Sequence, residues 1–347
     1  MYISAQTIDD LMHSVLSKLL EREPNVFSSR SEGVNSTKGL GPSSEIIGAI
    51  LNLKDPRQRL SRDETKGTIF SALGELLWYL SGGNNLDFIT YYIKRYEDET
   101  EDGKTIFGGY GPRLFDLRGI NQIDNILRLL KEKSTSRRAV IQLFNAEDLV
   151  GKHPEIPCTC TLQFLLRDDR LHMFTTMRSN DAFVGLPHDI FAFTMIQEII
   201  ARSLNVGLGE YNHAVGSLHL YNNDRDGAEE YRDVGFHSTK FPMSKMPIGD
   251  PWKEISIILT IEDDLRNGRE IQPSRLKQLN PYWADLVYIL YAFSLSKRGK
   301  RSTNSNDIRN YVDQLKTINS KLEDKSYSIY IDKRASVLEN KIATARP

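Results

Sequence analysis

Two cysteines in 347 residues are too few for a disulfide framework, so the expected setting is a reducing, cytoplasmic one. No run approaches the ~18 consecutive apolar residues that a membrane-spanning helix requires, and no membrane partner is expected. Net charge is nearly absent as well. The 45 lysines and arginines against 46 aspartates and glutamates leave -1, without the basic field of a nucleic-acid scaffold. Low-complexity blocks and internal repeats are missing, and the Gly- and Ser-rich stretch at 28–44 fits no P-loop spacing. What remains is 39% hydrophobic and 26% charged, a soluble globular composition with a core large enough to enclose a substrate.

The opening segment, "MYISAQTIDDLMHSVLSKLL", carries acidic residues inside its apolar periodicity and no cleavage-site pattern, and reads as an amphipathic first helix. "EIIGAILNL" reads as a buried strand and "TKGTIFSALGELLWYLSGG" as a helix stopped by glycines. "RRAVIQLF", "CTLQFLL" and "RLHMFTTMRS" are strand-like. "RDDR" at Arg167–Arg170 predicts a turn that joins the last two as an antiparallel hairpin. "DIFAFTMIQEIIARSLN" predicts a central helix starting near Asp189. "GEYNHAVGSLHLYNND" predicts another strand, with polar residues where a purely structural strand would alternate. From about residue 281 helical periodicity takes over. The expected organisation is an α/β core over residues 1–245, with a mainly helical C-terminal extension, 246–347, packed on it.

Cys158 and Cys160 lie one residue apart in "PCTCTLQF", and alternation along a strand would put them on one face. The C-x-C spacing lacks the usual C-x₂-C reach of a zinc site, and His153 and His172 add no regular ligand pattern, so no metal is expected. A redox pair would need C-x-x-C before a helix. Two small apolar fillers, or a nucleophile beside a bystander, are left. The surroundings favour the nucleophile. Arg178 and Ser179, in "MRSNDAFVGLPHD", suit a phosphate by charge and hydroxyl. Arg137 and Arg138 in "SRR" precede a strand, where solvated surface is the ordinary alternative. Asp189 is either a helix N-cap or a site carboxylate, and Glu75 within "GELLWYL" is either half-exposed or a buried acid.

In this order, "ELLWYL", "SRR", "PCTCTLQF", "RSNDAFVGLPHD" and "GSLHLY" resemble the thymidylate synthase family over roughly Glu75 to Asn223. The resemblance implies an α/β (α+β type) fold, a large mixed sheet flanked by helices, and a homodimer packed sheet against sheet. It puts the family nucleophile on Cys158 and leaves Cys160 without a role. The thiolate is implied to add to C6 of a pyrimidine nucleoside monophosphate, and C5 then attacks the one-carbon unit of 5,10-methylenetetrahydrofolate. Arg178 and Ser179 are implied to bind the 5′-phosphate, joined by Arg137 and Arg138 contributed across the dimer. His219 and Tyr221 correspond to positions that hold the sugar hydroxyl, and Glu75 to the glutamate that organises water and proton transfer. Tyr110, Asp181 and Asn223 correspond to further pocket positions, and Arg30 to a loop arginine that closes on the phosphate.

Three departures from the synthases point towards cytosine. Where they carry Asn after "GLPF", this chain has "GLPHD" with Asp189. An amide offers the donor and acceptor that match O4 and N3–H of uracil, whereas a carboxyl accepts from the N4 amino group of cytosine and shares a proton with N3. Thr159 replaces the family His after the nucleophile, and Ser217 replaces the Asp of "GD-x-H". These pieces resemble the deoxycytidylate hydroxymethylase branch. Finally, the stretch "IKRYEDE" lacks the family's tryptophans, and "NKIATARP" lacks its short apolar closing tail. Both shield hydride transfer, which an enzyme adding water does not need. The expectation is therefore C5 hydroxymethylation of dCMP or CMP. Ser179, in place of a smaller residue, leans towards the deoxyribose. A divergent synthase acting on dUMP, and an inactive relative that only binds nucleotide or RNA, are the competing expectations.

Overall fold

The computed structural model describes residues 1–24, 42–62, 68–236 and 241–344, and these form two compact units, Met1–Pro242 and Met243–Pro347. In the first unit β1 (Tyr2–Ala5) leads into α1 (Ile8–Leu20), so the opening segment is a strand and then a helix rather than helix throughout. Thr7 divides the two: its hydroxyl accepts the Asp10 N–H and starts the helix, while the residues before it pair in parallel with β2 (Ser43–Leu53). After β2 come α2 (Thr68–Leu80), α3 (Leu86–Tyr92), α4 (Tyr110–Phe115) and α5 (Gln122–Glu132). The strands β3 (Val140–Gln142), β4 (Thr159–Arg167) and β5 (Arg170–Asp181) follow, then α6 (Gly185–Ser203), β6 (Gly207–Tyr221) and α7 (Arg225–Val234).

The strands make one six-stranded mixed sheet in the order β1-β2-β6-β5-β4-β3. The predicted hairpin forms: β4 and β5 are antiparallel, with Asp168 and Asp169 at φ 48° and 54° in the turn. Paired left-handed residues give a two-residue turn the twist of its strands, and Asp tolerates that region better than most residues. The β3 strand is shorter than "RRAVIQLF" suggests, because the Leu143 and Phe144 N–H groups both turn to the carbonyl of Cys160. On β2 the inward phase runs through Ile46, Ala49 and Leu51, leaving Ile47 82% exposed, so this strand is not buried on both faces. The buried helix α6 lies against β5 and β6 and against α2. Within it Glu198 is fully buried and paired with the equally buried Arg59, as a charge in a core must be.

The second unit is helical: α8 (Trp252–Arg266), α9 (Pro273–Leu276), α10 (Pro281–Arg301), α11 (Ser305–Lys321) and α12 (Ser328–Thr344). Here Asp285 of α10 ties down the turn after α11 by accepting the Glu323 and Asp324 N–H groups at 3.0 and 2.7 Å. No helix among the described residues is long and apolar enough to cross a membrane.

Candidate active site

Cys158 sits immediately before β4, where the backbone is irregular. Thr159 pairs with Met177 and Thr161 with Thr176, so Cys160 is the extra residue of a bulge. The bulge breaks the alternation that was expected to put both cysteines on one face, and buried positions pass from Thr159 to Leu162 and Phe164. Burial pushes the Cys160 thiol up, against the opposing influence of Arg178, which favours an inert filler. Arg178 organises the nucleophile loop. Its backbone N–H donates to the Cys158 carbonyl at 2.9 Å, and its guanidinium donates to Pro157 and Ile156 carbonyls at 3.0 and 3.2 Å. Its Nη2 also reaches the Cys158 Sγ at 3.7 Å, where a cation stabilises negative charge on sulfur. Among the described residues these contacts use Nε and Nη2 and leave the Nη1 donors open. His153 and His172 are occupied elsewhere: one stacks on Phe107 and pairs with Glu101, the other accepts the Glu210 N–H.

Glu75 is buried on α2, not half-exposed, and Tyr96 donates to its Oε1 at 2.8 Å. Tyr79 and Tyr110 complete an aromatic wall, with ring centroids 4.8 Å apart. Tyr110 also pins the residue after the nucleophile: its hydroxyl donates to Thr159 Oγ1 at 2.9 Å and accepts the Thr159 N–H at 3.1 Å. Burial raises the Tyr110 phenol well above its usual range, helped by the negative charge of Cys158 and Asp189, so these groups share one neighbourhood.

Asp189 is not an N-cap. The helix α6 starts at Gly185 because the Asp181 carboxylate accepts the Phe183 and Val184 N–H groups at 2.9 and 3.1 Å. Asp189 therefore lies inside the helix, half-buried, with Oδ2 accepting from Asn180 Nδ2 at 2.8 Å. Desolvation, and then the charge of Glu75, pushes its carboxyl well above the usual carboxylate range. Behind Asn180 stands His213, whose Nε2 is 2.9 Å from Asn180 Oδ1 and whose Nδ1 is 2.7 Å from the Tyr211 hydroxyl.

The remaining expected residues are distributed as follows. His219 and Tyr221 are buried at the end of β6, their rings edge to face at 4.8 Å, and His219 pairs with Asp181 in the sheet register. Ser179 is half-buried beside Arg178. Arg137 and Arg138 are exposed ahead of β3, and Asn223 is exposed on the turn after β6. Arg30 lies outside the described residues.

The thymidylate synthase family model matches residues 61–256, more than half of the chain and every element that carries this cluster. The chain belongs to the thymidylate synthase family. Its mixed sheet and flanking helices are those of the thymidylate synthase fold, and the family takes its one-carbon unit from 5,10-methylenetetrahydrofolate. A thymidylate synthase of Francisella philomiragia is 31% identical over 176 residues, covering 46% of this chain and 64% of that protein. One of Buchnera aphidicola is 34% identical over 166 residues, covering 46% of this chain and 62% of that protein. The match thus spans less than two thirds of those synthases.

Against the thymidylate synthase motifs, sequence reasoning missed Tyr96, Asn180, Tyr211 and His213. The polar positions of "GEYNHAVGSLHLY" were the available signal for the last two, since a buried histidine in a strand needs partners on both nitrogens. Burial lowers His213 from 6.5 to about 3, so the folded chain keeps it neutral where the unfolded chain takes up a proton. Its contribution to stability is full above about pH 6.5 and falls on acidification by up to ~1.4 kcal/mol per pH unit. Urea denaturation from pH 7 to 4 is expected to show this slope, and His213→Gln to flatten it.

Proposed function

We propose that this protein hydroxymethylates C5 of a cytosine nucleoside monophosphate, dCMP or CMP, using 5,10-methylenetetrahydrofolate and water. The observation that carries the reading is the Asp189 carboxyl, held by Asn180 beside Glu75 at the position where synthases carry an amide. A carboxyl that keeps a proton presents one donor and one acceptor, matching N3 and the N4 amino group of cytosine. Cys158 adds to C6, and the Arg178 guanidinium favours the attacking thiolate. Arg178 Nη1, Ser179 and, across a homodimer, Arg137 and Arg138 hold the phosphate. His219 and Tyr221 hold the sugar, with Tyr110 fixing the nucleophile loop from the pocket side. The exposed Ile47, Ile50 and Val140 on the sheet support such a dimer, because apolar side chains on strands gain by being covered.

The folate supplies the one-carbon unit when bound. A pterin ring is rich in N–H donors, and Asp181 Oδ2 is a buried acceptor with no partner among the described residues, so the two fit. Glu75 takes a proton from the water whose oxygen ends in the hydroxymethyl group. Loss of the C5 proton, with tetrahydrofolate as the leaving group, would open an exocyclic methylene on the base for that water, and the electron pair returned to C5 then expels Cys158 from C6, restoring the aromatic base and the free thiolate. Tyr96 holds the Glu75 carboxylate for that water, and a hydrogen bond to a charged group is worth ~1.5–3 kcal/mol. Tyr96→Phe is therefore expected to slow hydroxymethyl product formation about 10- to 100-fold. Tritium exchange at C5, which needs Cys158 but not that water, should change far less.

The names of the relatives favour a second reading, methylation of dUMP. Incubating the enzyme with labelled folate and CMP, dCMP, UMP or dUMP in turn separates the two. A 5-hydroxymethylcytosine nucleotide with tetrahydrofolate supports the proposal. A 5-methyluracil nucleotide with dihydrofolate overturns it.

A further inference from the structure

We propose that Tyr211, His213 and Asn180 form a one-directional hydrogen-bond chain that orients Asp189 and so sets which base edge the site accepts. The inference rests on the reading of Asp189 as the residue facing the base. All three side chains are buried, and none belongs to the phosphate, sugar or nucleophile groups described above. Their order is fixed by donors and acceptors. Asn180 turns Nδ2 to Asp189 Oδ2 at 2.8 Å and Oδ1 to His213 Nε2 at 2.9 Å. An amide oxygen only accepts, so Nε2 must carry the imidazole proton. Because burial keeps His213 neutral, its Nδ1 is then an acceptor, and it faces the Tyr211 hydroxyl at 2.7 Å. The chain thus runs from Tyr211 O–H to His213, to Asn180 and into Asp189 Oδ2.

The consequence lies at the open end. With Oδ2 held as an acceptor by Asn180, a proton on the Asp189 carboxyl resides on Oδ1. The carboxyl then presents a fixed pattern, one O–H donor and one acceptor oxygen, in place of two interchangeable oxygens. Without this control the proton could sit on either oxygen, and the same carboxyl would match uracil as readily as cytosine. Tyr211 is the master switch of the pattern. If its hydroxyl is removed, His213 is free to carry its proton on Nδ1, Nε2 becomes an acceptor, and the Asn180 amide turns over. Asn180 then presents an oxygen to Asp189 and draws the proton to Oδ2. Tyr211, His213 and Asn180 are positioning residues, acting through Asp189.

The test is kcat/KM for dCMP and dUMP, measured by tritium release from C5, in wild type, Tyr211→Phe, His213→Phe and His213→Gln. Alongside it, ¹⁵N NMR of imidazole-labelled wild type reads the His213 tautomer. Tyr211→Phe and His213→Phe are expected to lower the cytosine-to-uracil ratio by about ten-fold or more, the scale of one mismatched buried hydrogen bond. His213→Gln, whose amide can still donate to Asn180 Oδ1, should retain most of the ratio. A folded Tyr211→Phe with the wild-type ratio, or an Nδ1–H signal for His213, overturns the chain even if cytosine is the substrate. A wild type that prefers dUMP while showing Nε2–H overturns the cytosine assignment and supports the chain as the orienting device of a uracil site.

Discussion

Cys158→Ala is expected to abolish release of tritium from C5-labelled dCMP or CMP, by about 10⁴-fold or more, while leaving nucleotide binding measurable. The argument starts from the chemistry. C5 of a pyrimidine becomes nucleophilic only when C6 carries an added group, so without covalent addition no later step begins. A sulfur at the head of β4, 3.7 Å from the Arg178 guanidinium, is the one group of the cluster suited to that addition. Glu75 and Asp189 are carboxyls, while Tyr79, Tyr96 and Tyr110 are phenols held well above their usual range by burial. Binding is expected to survive because the proposed phosphate and sugar contacts come from other side chains. Cys160→Ala is the matched control and should keep full exchange, since the bulge and the raised thiol set that sulfur apart from the chemistry. Equal loss in the two variants would sink the assignment of the nucleophile. A wild type that binds nucleotide yet releases no tritium would instead mark an inactive relative.

The reach of the sequence can be followed residue by residue. The β4–β5 turn was legible because the two aspartates between strand-like runs are a local signal, and their left-handed geometry meets that expectation. Cys158, Glu75 and Asp189 were singled out by motifs whose order is unusual by chance, and the fold brings Asp189 near Glu75 and Tyr110 near both Cys158 and Asp189. The β1 strand was not legible, since its partner β2 begins only at Ser43, beyond α1, and its side chains continue the apolar pattern of α1. The bulge at Cys160 was invisible as well: pairing register is a property of two strands, and one strand's alternation does not record an insertion. Tyr96 occupies the stretch that was noted only for its missing tryptophans, and its bond to Glu75 spans 21 residues of sequence. Asn180 and His213 are further apart still, 33 residues, and meet only because β5 and β6 run side by side.

Asp189→Asn is expected to turn the base preference over, moving the ratio of kcat/KM for dCMP against dUMP towards uracil by roughly 10²- to 10⁴-fold. Two polar contacts are at stake, at N3 and at the C4 substituent. Each mismatch in a buried site costs on the order of 1–3 kcal/mol, and the two act on the same base edge. The replacement keeps the shape of the side chain, so the fold survives, and its NH₂ group takes the Oδ2 position once the Asn180 amide turns over to present its oxygen there. What changes is that one oxygen becomes an NH₂ group that only donates. It then suits O4 of uracil and clashes with the N4 amino group of cytosine. The pH dependence supplies an independent check. The carboxyl of Asp189 is held above its usual range by desolvation and by Glu75, so its proton is lost on the alkaline side of the ordinary carboxylate range. Turnover of cytosine by the wild type should therefore fall as pH rises through that raised value, because ionisation removes the donor that N3 requires. The amide does not titrate, so the variant's turnover of uracil should lack this limb. A variant that still prefers cytosine, or a wild-type profile without the limb, would show that base choice is made elsewhere in the site.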